Sequence, residues 1–384
     1  MSTSISIKEL KELDPSSYQI VDIRDAVEIS HGAIPGALVM KTEKIETSDA
    51  IDRSKKTIIC CSRGRFSVAA AEELQEKGWD AVSLEGGYIA WLMDVMSAPE
   101  EQDKAADVEK SLRKKFKKSI WSKFTKAINT YELVKPGDKI AVCISGGKDS
   151  MLLAKLFQEL KRHNKFDFEV KFLVMDPGYS PVNRQVIEEN ARRLEIPIEI
   201  FESDIFESVF NIEKSPCYLC ARMRRGYLYS HAQKMGCNKI ALGHHYDDVI
   251  ETILMGMLYS AQVQTMMPKL HSTNFEGMEL IRPLYMVREE DIKAWRDYND
   301  LYFLQCACKF TEACATTENE ENLSKRKEIK ELIATLKKVN PYVEGNIFKS
   351  VENVNLDTVV AYKSKGEKHH FLDTYDEKSE EQGE

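Results

Sequence analysis

Short apolar runs alternate with amphipathic stretches through the first hundred residues. YQIVDIRD and KTIICCS have the apolar density of strands, and DAVSLEG predicts another. SVAAAEELQEKG spaces its apolar residues at helical intervals and ends on Gly78. From about Ile140 the units lengthen. IAVCIS runs through a glycine-containing loop into SMLLAKLFQELKRH, VKFLVMD precedes VNRQVIEENARRLEI, and KIALG precedes VIETILMGMLY. Strands alternating with helices of this length predict an α/β fold with a doubly wound parallel sheet. Residues 99–118 are charged and poor in apolar positions, which predicts a linker. The basic stretch LRKKFKKSIWSKFTK then opens the next domain as a helix. The expected organisation is a small domain over 1–98, a linker over 99–118, a larger domain over 119–365 and an acidic, unstructured tail over 366–384.

Charge narrows the partners. Lys and Arg total 54 against 62 Asp and Glu, a net charge of −8, so only local basic segments are expected to meet nucleic acid. The opening MSTSISIKELKEL lacks a basic-then-apolar signal pattern, and no run approaches ~18 apolar residues. A cytoplasmic protein with no membrane association is the expectation. The nine cysteines are Cys60, Cys61, Cys143, Cys217, Cys220, Cys237, Cys306, Cys308 and Cys314. In a cytosolic chain their grouping points to persulfide chemistry or metal binding rather than to disulfides.

Cys61 stands where a strand meets the loop CSRGRFS before a helix. Successive loop N–H groups and the positive end of a helix favour a thiolate or a terminal persulfide over the neutral thiol. Arg63 and Arg65 add to that field, whereas Cys60 reads as a buried strand residue. Residues 4–95 resemble the single-domain rhodanese family. The carriers of the resemblance are Asp22, Arg24, Glu28, Gly32, Ile34, Pro35 and Gly36, then Gly86, Gly87 and Trp91 of the closing L-x-G-G…W segment. The resemblance implies that Cys61 is the catalytic cysteine. The family commonly has Arg five residues after that cysteine; here Phe66 holds the place and Arg65 precedes it. Either an active sulfur carrier or a degenerate binding module follows.

Ser145, Gly146, Gly147, Lys148, Asp149 and Ser150 lie between a strand and a helix, where backbone N–H groups and the helix dipole converge on phosphate. The two glycines allow close backbone approach, and Lys148 offers a positive charge. The Walker spacing is absent. S-G-G-x-D-S resembles the signature of the PP-loop superfamily, adenine nucleotide alpha hydrolase-like proteins, which implies splitting of ATP to AMP and pyrophosphate. Asp176 ends VKFLVMD at the ligand edge of the predicted sheet, as an adenosine contact or as a turn former in Asp-Pro-Gly.

A third group of motifs extends the picture. Cys217 and Cys220 have C-x-x-C spacing and are followed by Arg222, Arg224 and Arg225. Two such thiolates suit a metal or cluster, and the arginines suit phosphate. GHHYDDVIET contributes Gly243, His244, His245, Asp247, Asp248, Glu251 and Thr252. Asp248 and Glu251 have capping-box spacing at a helix start, a position also suited to Mg–ATP. His244 and His245 read as metal ligands, proton carriers or substrate-positioning groups. Together with SGGKDS, MMPKL and IRPL, these segments resemble the TtcA-type tRNA 2-thiocytidine synthetases over roughly residues 115–362.

That resemblance implies ATP and Mg2+ as cofactors, tRNA as substrate, and a 4Fe–4S cluster on three cysteines with one iron open to sulfide. Cys217, Cys220 and Cys306 are the implied ligands, with Cys308 as rival to Cys306. The family's second C-x-x-C is replaced here by Cys306, Cys308 and Cys314. A zinc site on Cys217, Cys220, Cys306 and Cys308 is the metal alternative. The expected sequence of events is sulfur loading on Cys61, adenylation of a nucleobase carbonyl, and displacement of AMP by sulfur. The donor is of the kind of a cysteine desulfurase or thiosulfate, and a homodimer is left open. The basic segment 113–118 with Trp121 and Phe124 offers phosphate contacts and stacking, or else a solvated helix face. Two other readings remain: an iron–sulfur redox sensor with a degenerate rhodanese module, and a PP-loop sulfurtransferase acting on a small molecule.

Overall fold

The computed structural model describes residues 2–29, 32–97, 103–163, 166–203, 216–303 and 317–375; the side chains of 26–27, 216–222 and 317–324 are outside the description. The chain divides into two units, Met1–Tyr246 with Pro268–Asn319, and Asp247–Met267 with Glu320–Glu384.

The first unit holds two sheets, one wholly parallel and one parallel but for an edge strand. Strands β1 (Ser4–Ile5), β2 (Tyr18–Asp22), β3 (Leu38–Val39), β4 (Lys56–Cys60) and β5 (Ala81–Leu84) pair in the order β1-β5-β4-β2-β3, every pair parallel. The near-continuous apolar runs of β2 and β4 fit strands covered on both faces, and Val21, Ile58 and Ile59 are fully buried. The helix Arg65–Glu76 packs Ala70, Ala71 and Leu74 into the core with Val21 and Ile59. Gly78 ends that segment in the left-handed region, at φ +83°.

The second sheet contains β6 (Lys139–Ile144), β7 (Glu169–Asp176), β8 (Ile198–Glu202), β9 (Lys239–Ala241), β10 (Lys269–His271) and β11 (Glu279–Ile281). Their order is β10-β11-β9-β6-β7-β8, parallel except for β10 against β11. From β6 the chain builds outward through β7 and β8, then crosses back to place β9 on the other side. The gap between the carboxyl ends of β6 and β9 is therefore the switch point, where open α/β sheets bind ligands.

The stretch expected as a linker carries a helix, Lys104–Arg113. Ala105, Val108 and Leu112 share one face and are buried, so apolar spacing overrides the charged composition. Glu109 on the same helix accepts from the fully buried Lys155 Nζ at 2.8 Å and is also bonded to Arg162. Lys155 completes its partners at the Leu194 carbonyl, 2.9 Å away.

The basic segment continues through a π-helical turn, Lys117–Trp121, into the helix Ser122–Thr130. Phe116, Ile120 and Phe124 point to the core, and Phe124 meets Phe157 edge-on at 5.8 Å. Phe124 is thus a core residue and not the stacking surface expected of it. Arg113, Lys114, Lys115, Lys117, Lys118, Lys123 and Lys126 remain exposed along the same stretch.

In the second unit the helix Tyr246–Ser260 contributes its residues from Asp247 onward, with Thr317–Val339 supplying residues from Glu320, followed by Val343–Ser350. A hairpin of β12 (Ala361–Ser364) and β13 (Glu367–His370) follows. Its two-residue turn has Lys365 at φ 52° and Gly366 at φ 90°, the positive-φ pair that matches strand twist. Residues 367–373, expected within an unstructured tail, therefore form a strand and a short turn in which His370 and Asp373 make a capping box. Among the described residues no helix is long and apolar enough to cross a membrane.

Candidate functional site

Cys61 follows β4 directly and is buried, 4% exposed. Its Sγ lies 3.2 Å from Ser67 Oγ and accepts from Gly64 N–H at 3.2 Å. Burial pushes the thiol pKa up, but hydrogen bonds from Ser67 and from the backbone at Ser67, Arg63 and Phe66 outweigh it, so the value is lowered. Ser67 Oγ is itself held by Ser83 Oγ at 2.8 Å. Neighbouring Cys60 is pushed up by burial and the nearby Asp22 carboxylate. Adjacent cysteines are thus shifted in opposite directions, Cys61 towards the thiolate and Cys60 towards the neutral thiol. Ser67→Ala is expected to move the pH midpoint for iodoacetamide alkylation of Cys61 upward. It should also slow alkylation at neutral pH about 2–10-fold, the worth of one ~1 kcal/mol hydrogen bond. An unchanged profile would show that Ser67 does not tune the Cys61 thiol.

Glycines shape this loop by letting backbones touch. A Cβ on Gly87 would fall 2.2 Å from the Cys61 carbonyl and 2.8 Å from Arg63 N, and one on Gly64 would fall 2.9 Å from Gly86 N. The closeness is used: Tyr88 N–H donates to Cys61 O at 2.8 Å and Ile89 N–H to Ser62 O at 3.2 Å. The helix Gly87–Ser97 therefore starts on the Cys61 loop. Below it, Arg24 forks onto Asp22, with Nη2 to Oδ2 at 2.6 Å, and lies over the Tyr88 ring at 3.7 Å. Glu28 accepts from Ser62 Oγ. Phe66 is 81% exposed beside the loop, and Arg63 and Arg65 are also exposed.

The loop after β6 is built by its own side chains. Ser150 Oγ accepts from Ser145 N–H at 3.1 Å and donates to the Gly147 carbonyl at 3.0 Å, closing the turn into the helix Lys148–His163. Gly146 has φ +86°, and a Cβ there would press on Ile187 at 2.6 Å. Lys148 is 3% exposed, with Nζ 3.2 Å from both Asp149 Oδ2 and Glu289 Oε1. Asp149 Oδ1 is buried without a hydrogen-bond donor, with His245 Nε2 at 3.9 Å. A Cβ on Gly243 would meet Asp149 C and Ser150 N at 3.2 Å. The loop after β9 thus rests against the loop after β6, joining two motifs far apart in sequence at the switch point.

Asp176 is 4% exposed and forms the turn: Oδ1 accepts from Gly178 N–H at 2.8 Å and Tyr179 N–H at 2.6 Å. Its Oδ2 is 3.3 Å from Arg184 Nη1. In the second unit, Asp248 and Glu251 share Arg326, at 3.1 and 2.7 Å, and burial raises the Glu251 carboxyl. Asp247 lies in the first turn of the same helix, and His244 is half-buried in the loop before it.

Cys217 and Cys220 lie on the helix Pro216–Lys234, with side chains outside the described residues; Cys306, Cys308 and Cys314 lie outside them altogether. Among the described residues no three His, Cys, Asp or Glu side chains gather as a metal site. Burial raises the remaining two thiols, Cys143 to about 12 and Cys237 upward. Ser67 and Glu289 were not singled out from the sequence. Ser67 is an ordinary helix residue by pattern, and Glu289 comes 141 positions after Lys148 with no motif around it.

Comparison with known proteins places two families on the chain: residues 6–94 match a rhodanese-like domain and residues 114–308 a PP-loop domain. A tRNA-cytidine(32) 2-sulfurtransferase of Anaeromyxobacter sp. (strain K) is 36% identical over 231 residues, covering 59% of this chain and 76% of the relative. One of Geotalea uraniireducens is 36% identical over 251 residues, covering 63% and 96%. Among solved structures, the U34-tRNA thiolase NcsA of Methanococcus maripaludis with its 4Fe–4S cluster aligns at a TM-score of 0.48 and 20% identity. It covers 61% of this chain and 79% of that one.

Proposed function

The chain belongs to the TtcA-type family of PP-loop tRNA-cytidine 2-sulfurtransferases, and on that premise we propose that it thiolates a tRNA cytidine at the expense of ATP. Its rhodanese-like domain is proposed as the sulfur carrier. The observation that carries the reading is the close approach of Gly243 to Asp149 and Ser150, which brings the nucleotide-type loop and the G-H-H segment together.

In this reading the loop N–H groups around Gly146 and Gly147 hold the phosphates of ATP. Lys148 exchanges part of its pairing with Glu289 for the departing pyrophosphate. Asp149 Oδ1, which no hydrogen bond occupies, is the oxygen free to face Mg2+, since Mg2+ prefers one or two carboxylates plus substrate phosphates. His245 beside Asp149, with His244 before it, would position the nucleobase. The base oxygen leaves in AMP and sulfur takes its place. Sulfane sulfur from Cys61 must gain two electrons from a thiol to become thiocarbonyl sulfur, whereas inorganic sulfide needs none. The exposed cations from Arg113 to Lys126, with Lys115 3.8 Å from the half-exposed Tyr298 ring centre, suit the tRNA backbone. The cytoplasm, with a cysteine desulfurase or thiosulfate as sulfur source, is the compartment that fits.

A 4Fe–4S cluster is proposed on Cys217, Cys220 and Cys306; when bound, it would supply an iron open to sulfide. Anaerobically purified protein is expected to be brown, with about four irons per chain. Cys217→Ala, Cys220→Ala and Cys306→Ala should each bleach it, and Cys314→Ala should not. Colourless protein holding one zinc, released by changing Cys217, Cys220, Cys306 or Cys308, would overturn the cluster. The reaction itself is tested by following AMP with and without tRNA, then analysing tRNA nucleosides by mass spectrometry. A thiocytidine that appears only with ATP and a sulfur source supports the function. AMP formation indifferent to tRNA would point to a small-molecule acceptor, and absence of AMP to a redox sensor.

A further inference from the structure

The helix Gly87–Ser97 has two jobs that meet in one element. Its first turn is bonded to the sulfur loop through Tyr88 N–H and Ile89 N–H, as described above. Its outer side rests on the PP-loop domain. Trp91 stacks on Tyr88 with ring centres 5.6 Å apart and meets Tyr302 edge-on at 5.2 Å and 83°. The Tyr302 ring also reaches within 3.8 Å of the place a Gly32 Cβ would occupy. Tyr302 is fixed from the other side, because the buried Asn190 donates to its carbonyl at 2.9 Å. Further along, Arg193 Nη2 donates to the Val95 carbonyl at 3.2 Å. Asn190 and Arg193 belong to the helix Pro181–Arg193, whose Ile187 lies against Gly146 of the nucleotide-type loop. A continuous train of contacts thus runs from Cys61 through Tyr88 and Trp91 to Tyr302, and on to the helix that backs Gly146.

We propose that the Trp91–Tyr302 contact is a fixed docking point that orients the Cys61 loop for sulfur transfer within one chain, with Trp91 and Tyr302 as positioning residues. The proposal rests on the sulfur-carrier reading above. In the step served, a thiolate of the PP-loop domain other than the buried Cys143 and Cys237 and the proposed cluster ligands attacks the terminal sulfur of the Cys61 persulfide. One S–S bond forms as the Cys61 S–S bond breaks, Cys61 leaves as a thiolate, and the persulfide proton stays with the transferred sulfur. No electrons are gained or lost overall. Edge-to-face aromatic pairs have a preferred geometry, so this contact sets orientation as well as proximity. Orientation is where the gain lies, because a misplacement of ~1 Å can cost about 10²-fold in rate.

The test compares the full-length parent with Tyr302→Ala, Trp91→Ala and Tyr302→Phe. With persulfide-loaded Cys61 and a thiol reductant, kcat for tRNA thiolation is expected to fall about 10–100-fold in both alanine variants, with KM for tRNA unchanged. Tyr302→Phe keeps the ring and should restore the rate. Transfer of sulfur from Cys61 to cyanide, and thiolation driven by inorganic sulfide, should match the parent throughout. Parent-like persulfide-driven rates in Tyr302→Ala would overturn the docking point, as would an equal loss with sulfide, which would make Tyr302 a general support. Mixing a Cys61→Ser chain with an Asp149→Ala chain should give no recovery; recovery would overturn transfer within one chain. A parent chain that fails to thiolate tRNA even with sulfide would sink the proposed function instead.

Discussion

Asp149→Ala is expected to lower tRNA-dependent AMP formation about 10²–10³-fold, the usual cost of removing one preorganised charged group at a reacting centre. The carboxylate has one oxygen on Lys148 and one buried oxygen without a donor. Losing it removes the oxygen proposed for Mg2+ and leaves Lys148 anchored to Glu289 alone. Lys148→Ala should cost a similar factor for the complementary reason: Asp149 and Glu289 would then face the ATP phosphates without the ammonium that pairs with both. Neither change touches the Cys61 loop, so loading of Cys61 with sulfane sulfur serves as the internal control. AMP formation at parental rate in Lys148→Ala at limiting ATP would show that the nucleotide lies elsewhere.

Cys61→Ser carries the other large effect. A serine hydroxyl is not ionised in the physiological range and forms no persulfide, so sulfur transfer from thiosulfate or a protein persulfide should fall below detection. Thiolation with inorganic sulfide should persist, because that route needs neither the loop nor a reductant. The contrast between donors is the measurement: a variant equal to the parent with every donor would make the N-terminal domain a binding module. Cys60→Ser makes a useful companion, since Cys60 is buried with a raised pKa and should be dispensable for loading.

Much of this was legible in the sequence because its signals are local. The strand-loop-helix units before Lys148 and after Cys61 announce themselves by apolar runs ending in short glycine-containing loops, and the structure has β4 and β6 where those runs lie. Asp176 could be narrowed only to two roles, and of these the structure shows the turn. Other features are set by partners distant in sequence. Nothing near Phe124 tells that it packs on Phe157, and its basic neighbours disguise a core residue as a nucleic-acid contact. Asp248 and Glu251 have the spacing of a capping box, yet both are paired with Arg326, which only the tertiary fold brings near. The Trp91–Tyr302 contact joins residues more than two hundred positions apart, beyond any periodicity. In the 99–118 stretch, overall charge hid three apolar residues at helical spacing, and the helix they drive was missed for that reason.

That helix decides where the protein can be cut. Dissecting the chain into its two chemistries, or transplanting the PP-loop half onto another carrier, invites a boundary in the charged stretch after residue 98. A shortened chain beginning at residue 119 would lose Glu109 and leave the Lys155 ammonium buried against the Leu194 carbonyl alone. Breaking a buried pair by removing one partner costs ~3–5 kcal/mol, a large share of the net stability of an ordinary domain. The portable unit therefore begins before Lys104, and the helix Lys104–Arg113 travels with the nucleotide-binding half as part of its core.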